Sequence, residues 1–337
     1  FDRQREKEKL ADVMSKVEGD FNKKGIQELY QQLMSMSRKL QYSQLVEAGA
    51  LGRLPFIRIE NLDRENARVV FQGTEGAYSQ AAMYQFFGRD VNNFHVRTFR
   101  EAMEAIEEGS ADYAVLPIEN SSHGAVSDIF DLLVRYPALV IVEEVDLHVA
   151  HALMSVAGAS VDGLKGIYSH PQALGQCATF LEAHPEIEAV PVLNTAVAAA
   201  YVRDHQDPCS AALASELSAE LYGLTILQRG VNQEKSNTTR FIVLGRERVY
   251  TADAEKISIC FETAHKPGAL YNALGNFIFN DVNMLMIQSR PIPEKPFEYR
   301  FFVDLEGNLS MPNVINALAG LEDQITSLRI LGNYGKE

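Results

Sequence analysis

The sequence is poor in cysteine and in basic residues. Its three cysteines, Cys177, Cys209 and Cys260, are widely spaced and form no CxxC pair, so we expect free thiols in a reducing compartment instead of a disulfide framework. No HExxH run or cysteine pair gives the signature of a metal site. Lys and Arg number 31 against 45 Asp and Glu, and the net charge of −14 argues against nucleic acid, whose phosphates attract cations. A small anionic substrate remains compatible with this charge, because a local field can oppose the global one.

Long apolar runs are also missing. No stretch approaches the ~20 apolar residues that a membrane span needs. The charged residues 2–9 do not resemble a signal peptide. We therefore predict a cytoplasmic protein without a metal and without membrane or nucleic acid partners.

The 337 residues suffice for two or three domains. Up to residue 50, apolar residues recur at the helical period, which predicts a helical segment. Residues 67–248 alternate apolar strands with helical patterns, which predicts an α/β fold with two parallel-sheet lobes around a cleft. Residues 254–337 predict the βαββαβ order of a ferredoxin-like unit. The strands predicted between residues 67 and 248 are Arg68–Gln72, Tyr113–Pro117, Gly166–Ser169, Ala189–Leu193, Ser210–Leu213 and Arg240–Leu244.

Four polar motifs lie at the ends of predicted strands or in the turns that follow. They are Gly73–Gln80, Pro117–Gly124, Ser169–Cys177 and Asn237–Phe241. Ligands of parallel sheets bind beyond the carboxyl ends of the strands. The last motif places an amide, hydroxyls and a guanidinium at the mouth of a buried strand, where packing needs none of them and an anionic substrate needs all three.

These four motifs, in this order, resemble the prephenate dehydratases, which make phenylpyruvate on the phenylalanine pathway. The resemblance implies prephenate as substrate and no cofactor. Loss of CO2 and hydroxide from this dianion needs a donor at the leaving oxygen and preorganised donors around the carboxylates. The resemblance makes Thr239 that donor, although a β-branched residue also suits a strand. Glu119 is the second catalytic candidate, because burial would favour its protonated form.

The resemblance also predicts a set of substrate-binding residues. A glycine turn and helix N-termini offer backbone N–H groups to an anion, two glutamines four residues apart share a helical face, and an arginine supplies a cation. His170 is equally consistent with a helix cap, and Arg240 with a surface ion pair. The predicted substrate-binding residues are Gly76, Ser79, Asn120, Ser121, His170, Gln172, Gln176, Thr195 and Arg240.

Residues 254–337 resemble an ACT domain, a module that binds amino acids. The similarity rests on the Gly-Ala-Leu run at Gly268 and on Gln288-Ser289-Arg290-Pro291, in which Gln288 replaces the usual glutamate. It implies L-phenylalanine as an effector bound at the interface of a homodimer or homotetramer, and the alternative is a purely structural dimerisation module. The implied effector-binding residues are Gly268, Ala269, Leu270, Gln288, Ser289 and Arg290.

Residues 1–50 resemble the second and third helices of an all-helical chorismate mutase. Asp2, Glu6, Ser37 and Gln41 match polar positions of that family's active site. The long first helix, which carries essential cations in that family, has no counterpart in this sequence. We expect the mutase site to be incomplete and mutase activity to be absent, and an inert helical dimerisation element is the alternative.

A different class of function shares the two-lobed architecture. A non-catalytic solute-binding module could sense an aromatic or keto acid in the same cleft. Thr239 with Arg240 favours the enzyme, because a binding protein needs no donor directed at a leaving hydroxyl.

Overall fold

The computed structural model describes residues 3–47, 55–293 and 295–336, and it divides into two compact units. A ferredoxin-like unit combines Phe1–Ile57 with Ala252–Asn333, and a two-lobed unit comprises Arg58–Thr251 and Tyr334–Glu337. The predicted α/β class is confirmed.

Helices and strands are numbered in chain order. The helices are α1 (Arg3–Ser15), α2 (Asp20–Glu47), α3 (Tyr78–Phe87), α4 (Phe99–Glu108), α5 (Ser127–Arg135), α6 (Pro171–Gln176), α7 (Ala178–Ala183), α8 (Thr195–His205), α9 (Glu216–Tyr222), α10 (Ala269–Ile278) and α11 (Pro312–Glu322). The strands are β1 (Ile57–Ile59), β2 (Arg68–Gln72), β3 (Asn92–Val96), β4 (Tyr113–Asn120), β5 (Gly124–Ala125), β6 (Val140–His148), β7 (Ala152–Ser155), β8 (Gly166–Ser169), β9 (Glu188–Pro191), β10 (Ser210–Ala214), β11 (Thr225–Gln228), β12 (Thr238–Gly245), β13 (Val249–Thr251), β14 (Lys256–Glu262), β15 (Met284–Ile292), β16 (Lys295–Glu306) and β17 (Ser327–Tyr334).

Each lobe of the two-lobed unit is built on a mixed sheet. Lobe 1 has the strand order β6-β12-β4-β2-β3, with β5 paired to β4, and lobe 2 has the order β11-β7-β10-β8-β9. The strands β2, β3 and β4 run parallel, as do β8, β9 and β10. The predicted parallel strands are thus present in both lobes, but each sheet also contains antiparallel strands, because β12 is antiparallel to both of its neighbours in lobe 1 and β7 is antiparallel to β10. These antiparallel strands flank the two places where the chain crosses between the lobes, at residues 149–151 and 229–237.

Hydrogen bonds tie the two crossings together. The backbone N–H of Val149 donates to Asn237 O at 2.8 Å, and that of Val231 donates to His151 O at 2.9 Å. The side chain of Asn232 accepts from the N–H of His151 at 3.0 Å and donates to Val149 O at 3.2 Å. Because paired crossings hold the lobes at one edge, the strand ends that carry the polar motifs face one another.

Side-chain caps start several helices at this cleft. Asn194 accepts from Val197 N at the start of α8, and Ser215 accepts from Ser218 N at the start of α9. Such a cap stabilises a helix by about 1 kcal/mol, because it satisfies an N–H that has no partner within the helix. The caps fix where these helices begin and thus where their first residues lie.

The ferredoxin-like unit has the predicted βαββαβ order, β14-α10-β15-β16-α11-β17, with the sheet order β15-β16-β14-β17. Its core contains fully buried Ile257, Ile259 and Val303 from the sheet and Leu321 from α11. The N-terminal segment is helical, as predicted, and α2 packs against α1 and α11. Within the described ranges, no helix is long and apolar enough to cross a membrane.

Candidate active site

Two of the polar motifs lie side by side on neighbouring strands. β12 pairs with β4, with Thr239 opposite Asn120 and Arg240 opposite Glu119. On its other side β12 pairs with β6, which places Arg240 opposite Asp146. Successive side chains of a strand point to opposite faces. Thr239 and Asn120 therefore share one face of the sheet, and Arg240 and Glu119 share the other.

The buried amide of Asn120 organises the face that carries Thr239. Its Oδ1 accepts the backbone N–H of Ser122 at 3.0 Å and that of His123 at 3.1 Å. Its Nδ2 donates to Asn237 Oδ1 and to Thr239 Oγ1, both at 2.8 Å. The two backbone donors fix which end of the amide is oxygen, so Thr239 accepts in this bond. Its own O–H is therefore directed to a different acceptor.

Ser121 joins this cluster through the backbone of β12. Its N–H donates to Thr238 O at 2.9 Å, and its Oγ accepts from Thr238 N at 3.0 Å. The structure thus brings together three residues predicted from two separate motifs, namely Asn120, Ser121 and Thr239.

Arg240 lies in an acidic cluster on the opposite face. Its Nη1 donates to Glu119 Oε2 at 2.8 Å, and its Nε is 3.0 Å from Glu144 Oε1 and 3.8 Å from Asp146 Oδ1. The Glu119 side chain is 39% exposed, so the expected burial of this carboxyl is wrong. The ion-pair interpretation of Arg240 is confirmed, and its role as a substrate cation stays a prediction.

Lobe 2 reaches the Thr239 face through Gln176. Its Oε1 is 2.8 Å from His151 Nε2, and its Nε2 is 3.3 Å from His123 Nδ1. His151 Nδ1 lies 2.7 Å from the Tyr78 hydroxyl. With Gln176 Oε1 accepting from His151 Nε2, a neutral His151 ring accepts at Nδ1 from the Tyr78 hydroxyl, whose oxygen also lies 3.1 Å from Ala150 O. Burial lowers the pKa of His151, which favours this neutral ring.

The glycine turn before α3 contacts lobe 2. Gly76, at φ +84°, accepts at its carbonyl from the hydroxyls of Ser215 at 2.7 Å and Ser218 at 2.8 Å. Its N–H donates to Gln80 Oε1 at 2.7 Å. The expected close approach of backbone at Gly76 is present, but its partner is the second lobe of the same chain. The N–H that we expected to meet an anion is already bonded.

The remaining predicted residues occupy helix starts around the cleft. Ser79 is buried in the first turn of α3. His170 caps α6 by accepting from Gln172 N at 3.2 Å, which confirms the helix-cap alternative. Gln172 is exposed in the first turn of α6, and Thr195 is the first residue of α8. As substrate contacts, these residues stay predictions.

Sequence reasoning missed several residues of this network. Asn237 was recognised only as part of its motif, and Tyr78, His123 and His151 were not selected. A sequence signal existed for the first three, since each lies inside or beside a polar motif. His151 had none, because it lies in a crossing between lobes and gains its partners only through the fold.

Comparisons with known proteins identify this arrangement. A family model for prephenate dehydratase matches residues 69–249, more than half of the chain. The chain belongs to the prephenate dehydratase family. A bifunctional chorismate mutase/prephenate dehydratase of Escherichia coli K12 is 34% identical over 286 residues, which cover 83% of this chain and 73% of that protein.

Two solved structures share this fold. A prephenate dehydratase of Arthrobacter aurescens, solved in complex with L-Phe, is 29% identical with a TM-score of 0.74 and covers 80% of this chain and 89% of that chain. A structure described as GqqA, a quorum-quenching acylase, is 33% identical with a TM-score of 0.74 and covers 80% of this chain and 98% of that chain. The prediction of an enzyme of the prephenate dehydratase family is confirmed, and the non-catalytic binding module loses its support.

The residues predicted to bind an effector lie in the ferredoxin-like unit. Gly268, at φ +76° and exposed, caps the N-terminus of α10, which begins with Ala269 and Leu270. Gln288, Ser289 and Arg290 follow one another on β15, where Gln288 Nε2 donates to Ser289 O at 3.1 Å. The effector role of all six residues stays a prediction.

The mutase-like positions lie in the same unit. Glu6 belongs to α1, and Ser37 and Gln41 are exposed on α2, while Asp2 lies outside the described residues. A cavity of about 580 Å³ is bordered by Glu6 and Lys7 of α1, by Gln32 of α2 and by Ala269 and Tyr271 of α10. Two of the residues that line this cavity were predicted functional positions, namely Glu6 of the mutase-like set and Ala269 of the effector set.

A second cavity, of about 570 Å³, lies in the two-lobed unit away from Thr239. Tyr113 and Gly245 line it, and they stand at the ends of β4 and β12 that are remote from Asn120 and Thr239. In the part of the chain that the structure describes, no group of three His, Cys, Asp or Glu side chains is arranged to hold a metal ion.

Proposed function

We propose that this member of the prephenate dehydratase family binds prephenate between its two lobes and uses Thr239 as the donor to the departing hydroxyl. The bond from Asn120 Nδ2 to Thr239 Oγ1 carries this proposal. It occupies an acceptor site of the threonine and leaves the O–H to point at a substrate oxygen. Asn120 is the last residue of β4 and Thr239 lies opposite it on β12, so both are at the carboxyl end of β4, where ligands of such sheets bind.

The reaction needs little from the protein beyond position and hydrogen bonding. As the bond between the ring and its carboxylate breaks, CO2 leaves and the electron pair forms a new ring double bond. The C–O bond on the opposite side of the ring breaks at the same time, hydroxide takes a proton from solvent, and the ring becomes aromatic. A threonine hydroxyl is a weak acid, so its part is a hydrogen bond to the leaving oxygen and not full proton transfer.

The polar cluster around Thr239 supplies further contacts for a dianion. Ser121 accepts a backbone N–H at its Oγ and can donate its own proton to a carboxylate. Gln176 links His151 of the interlobe crossing to His123 of lobe 1, so it holds the second lobe against the site. Glu119 keeps Arg240 in place on the opposite face in this proposal, and it is not the acid.

Thr239→Ala tests this function, and Thr238→Ala is the matched control. Both changes remove one hydroxyl and one methyl, but alternation places Thr238 on the other face. We expect kcat to fall on the order of 10²–10³-fold for Thr239→Ala, as for one preorganised donor, and to stay within a few-fold for the control. Phenylpyruvate, measured by its absorbance in base, is the readout. Wild-type turnover in Thr239→Ala would exclude Thr239 as the donor, and an inactive wild-type protein would exclude the function.

We further propose that L-phenylalanine binds the ferredoxin-like unit and inhibits the enzyme within a homodimer or homotetramer. The support is the L-Phe complex of the relative from Arthrobacter aurescens, together with the exposed N-terminus of α10 at Gly268, whose N–H groups can receive a carboxylate. Inhibition requires a coupling of typically ~1–3 kcal/mol between the sites. Calorimetry that shows no phenylalanine binding to the wild-type chain would leave the unit as a structural module.

A mutase activity is not part of this proposal. Glu6, Ser37 and Gln41 supply no cation for chorismate, which is a dianion. Formation of prephenate from chorismate by this chain would contradict that reasoning.

A further inference from the structure

The side chain of Asn237 has a polar group that the protein itself does not satisfy. Asn237 immediately precedes β12 and is 1% exposed. Its Oδ1 accepts from Asn120 Nδ2 at 2.8 Å, and Ser122 Oγ lies 3.5 Å from the same oxygen. Its Nδ2 is buried and has no hydrogen-bond partner among the residues that the structure describes.

The orientation of this amide follows from its neighbours. Backbone N–H groups of Ser122 and His123 fix the oxygen of Asn120, so the nitrogen of Asn120 must face Asn237. An acceptor is therefore required at that end of Asn237, and its own nitrogen is the end left over. Exchanging the two atoms of Asn237 would place two donors against each other.

An unpaired buried donor needs a reason, because nearly all buried polar groups in folded proteins are paired. The hydrogen bond that the backbone of Asn237 makes to the interlobe crossing does not supply that reason. The contact that ties Asn237 to the interlobe crossing uses its carbonyl oxygen, which accepts from Val149 N at 2.8 Å. The side-chain nitrogen contributes nothing to that contact, so any residue with the same backbone could make it.

The position of the unpaired donor indicates its use. Asn120 Nδ2 lies 2.8 Å both from the Asn237 amide and from the Thr239 hydroxyl. One amide thus orders two side chains, each of which retains a proton to donate. Asn237 and Thr239 are two residues apart, a spacing that keeps side chains of an extended chain on one side.

We propose that Asn237 Nδ2 is a second donor to the departing hydroxyl oxygen, beside Thr239, with Asn120 as the residue that positions both. This inference rests on the proposed dehydratase function. Hydroxide leaving a ring carbon gains negative charge only as the bond breaks, so two preorganised donors stabilise the transition state more than the bound substrate. The effect of removing Asn237 should therefore appear in kcat and much less in KM.

Asn237→Asp is the informative variant, because it keeps the oxygen that accepts from Asn120 and replaces the unpaired donor with an oxygen that cannot donate while the carboxyl is ionised. A protonated Asp has the shape of Asn and donates again, so the ratio of its kcat to that of the wild type should rise as the pH falls. Titratable residues beside this cluster are His123, Glu234, which accepts from Ser122, and His148, which lies opposite Thr238 on β6. These groups are present in both proteins, so their effects largely cancel in the ratio.

Asn237→Ala and Asn93→Asp complete the set. Asn237→Ala removes donor and acceptor together, and its kcat should fall on the order of 10²-fold. Asn93 lies on β3 and donates to Val91 O at 2.8 Å, so Asn93→Asp makes the same chemical change away from the cleft and should give a ratio that does not depend on pH. Unfolding by urea verifies that each variant is folded.

The outcomes distinguish the second donor from the proposed function. A kcat for Asn237→Ala within two-fold of the wild type overturns this inference and leaves the dehydratase function intact. A ratio for Asn237→Asp that stays flat with pH, or never exceeds that of Asn237→Ala, also overturns it, because Asn237 then serves only to hold Asn120. Absence of phenylpyruvate from the wild-type protein overturns the proposed function and this inference with it.

Discussion

Gly76→Ala should loosen the contact between the two lobes. An added Cβ at Gly76 would lie 2.6 Å from Ser218 Oγ and 3.1 Å from Ser218 Cα, and the residue has φ +84°. The second distance involves backbone, so a rotamer change of the serine cannot remove the clash. The turn and the start of α9 must therefore move apart.

The loss of stability follows from these contacts. Positive φ costs a non-glycine residue about 1–2 kcal/mol. Moving the turn also breaks the bonds from Ser215 and Ser218 to the Gly76 carbonyl, and polar groups left unpaired in a buried place cost about 1–3 kcal/mol. We expect a loss of about 2–5 kcal/mol in the free energy of unfolding, which corresponds to about 10 °C in Tm for a unit of this size.

Gly158→Ala is the matched control for this prediction. Gly158 has φ +85°, and an added Cβ would meet nothing within 4 Å. Gly158→Ala therefore has the unfavourable positive φ without the clash, and its free energy of unfolding should fall by only about 1–2 kcal/mol. Urea unfolding gives the free energy of unfolding of both variants. The value of kcat/KM should fall for Gly76→Ala alone, because this variant loses the contact between the two lobes. If the unfolding free energies of the two variants differed by less than about 1 kcal/mol, the role of Gly76 in the contact between the lobes would be refuted.

Two further predictions concern titratable residues. Glu119→Gln should retain kcat within a few-fold and keep the pH profile of the wild type, because Glu119 pairs with Arg240 on the face opposite Thr239. A fall in kcat comparable to that of Thr239→Ala would restore Glu119 as the acid. Burial lowers the pKa of His151, so the folded protein takes up this proton at lower pH than the unfolded chain, whose histidines titrate near 6.5. Stability should be fully present above about pH 6.5 and fall below it, by at most about 1.4 kcal/mol per pH unit. Urea unfolding between about pH 7.5 and 5.5 should give a smaller dependence of the unfolding free energy on pH for His151→Gln, whereas the change His205→Gln at an exposed position should leave it unaltered. An unaltered dependence in His151→Gln would contradict the assignment of this pH effect to His151.

Local sequence pattern was sufficient for several elements. The predicted bounds of Arg68–Gln72 and Gly166–Ser169 agree with β2 and β8. Each is a short, mostly apolar run ended by residues that favour turns, so the signal for the strand is contained within it. The βαββαβ order was predictable for the same reason.

Other elements could not be predicted because their stability depends on distant residues. The strand β6 carries Glu144 and Asp146 in its interior, a composition that disfavours a buried strand. Both carboxylates lie within 4 Å of the Arg240 guanidinium, almost a hundred residues further along the chain.

The candidate site shows the same division. The sequence by itself determined the family, the four polar motifs and Thr239 as the leading candidate, because these depend on residue type and order. Only the tertiary structure decided that Thr239 and Arg240 lie on opposite faces, that Gly76 meets Ser218, and that Asn120 orders both Asn237 and Thr239. The physical reason is that strand register and lobe packing set which side chains come within hydrogen-bond distance. Both are properties of contacts between residues far apart in the chain, and no local pattern encodes them.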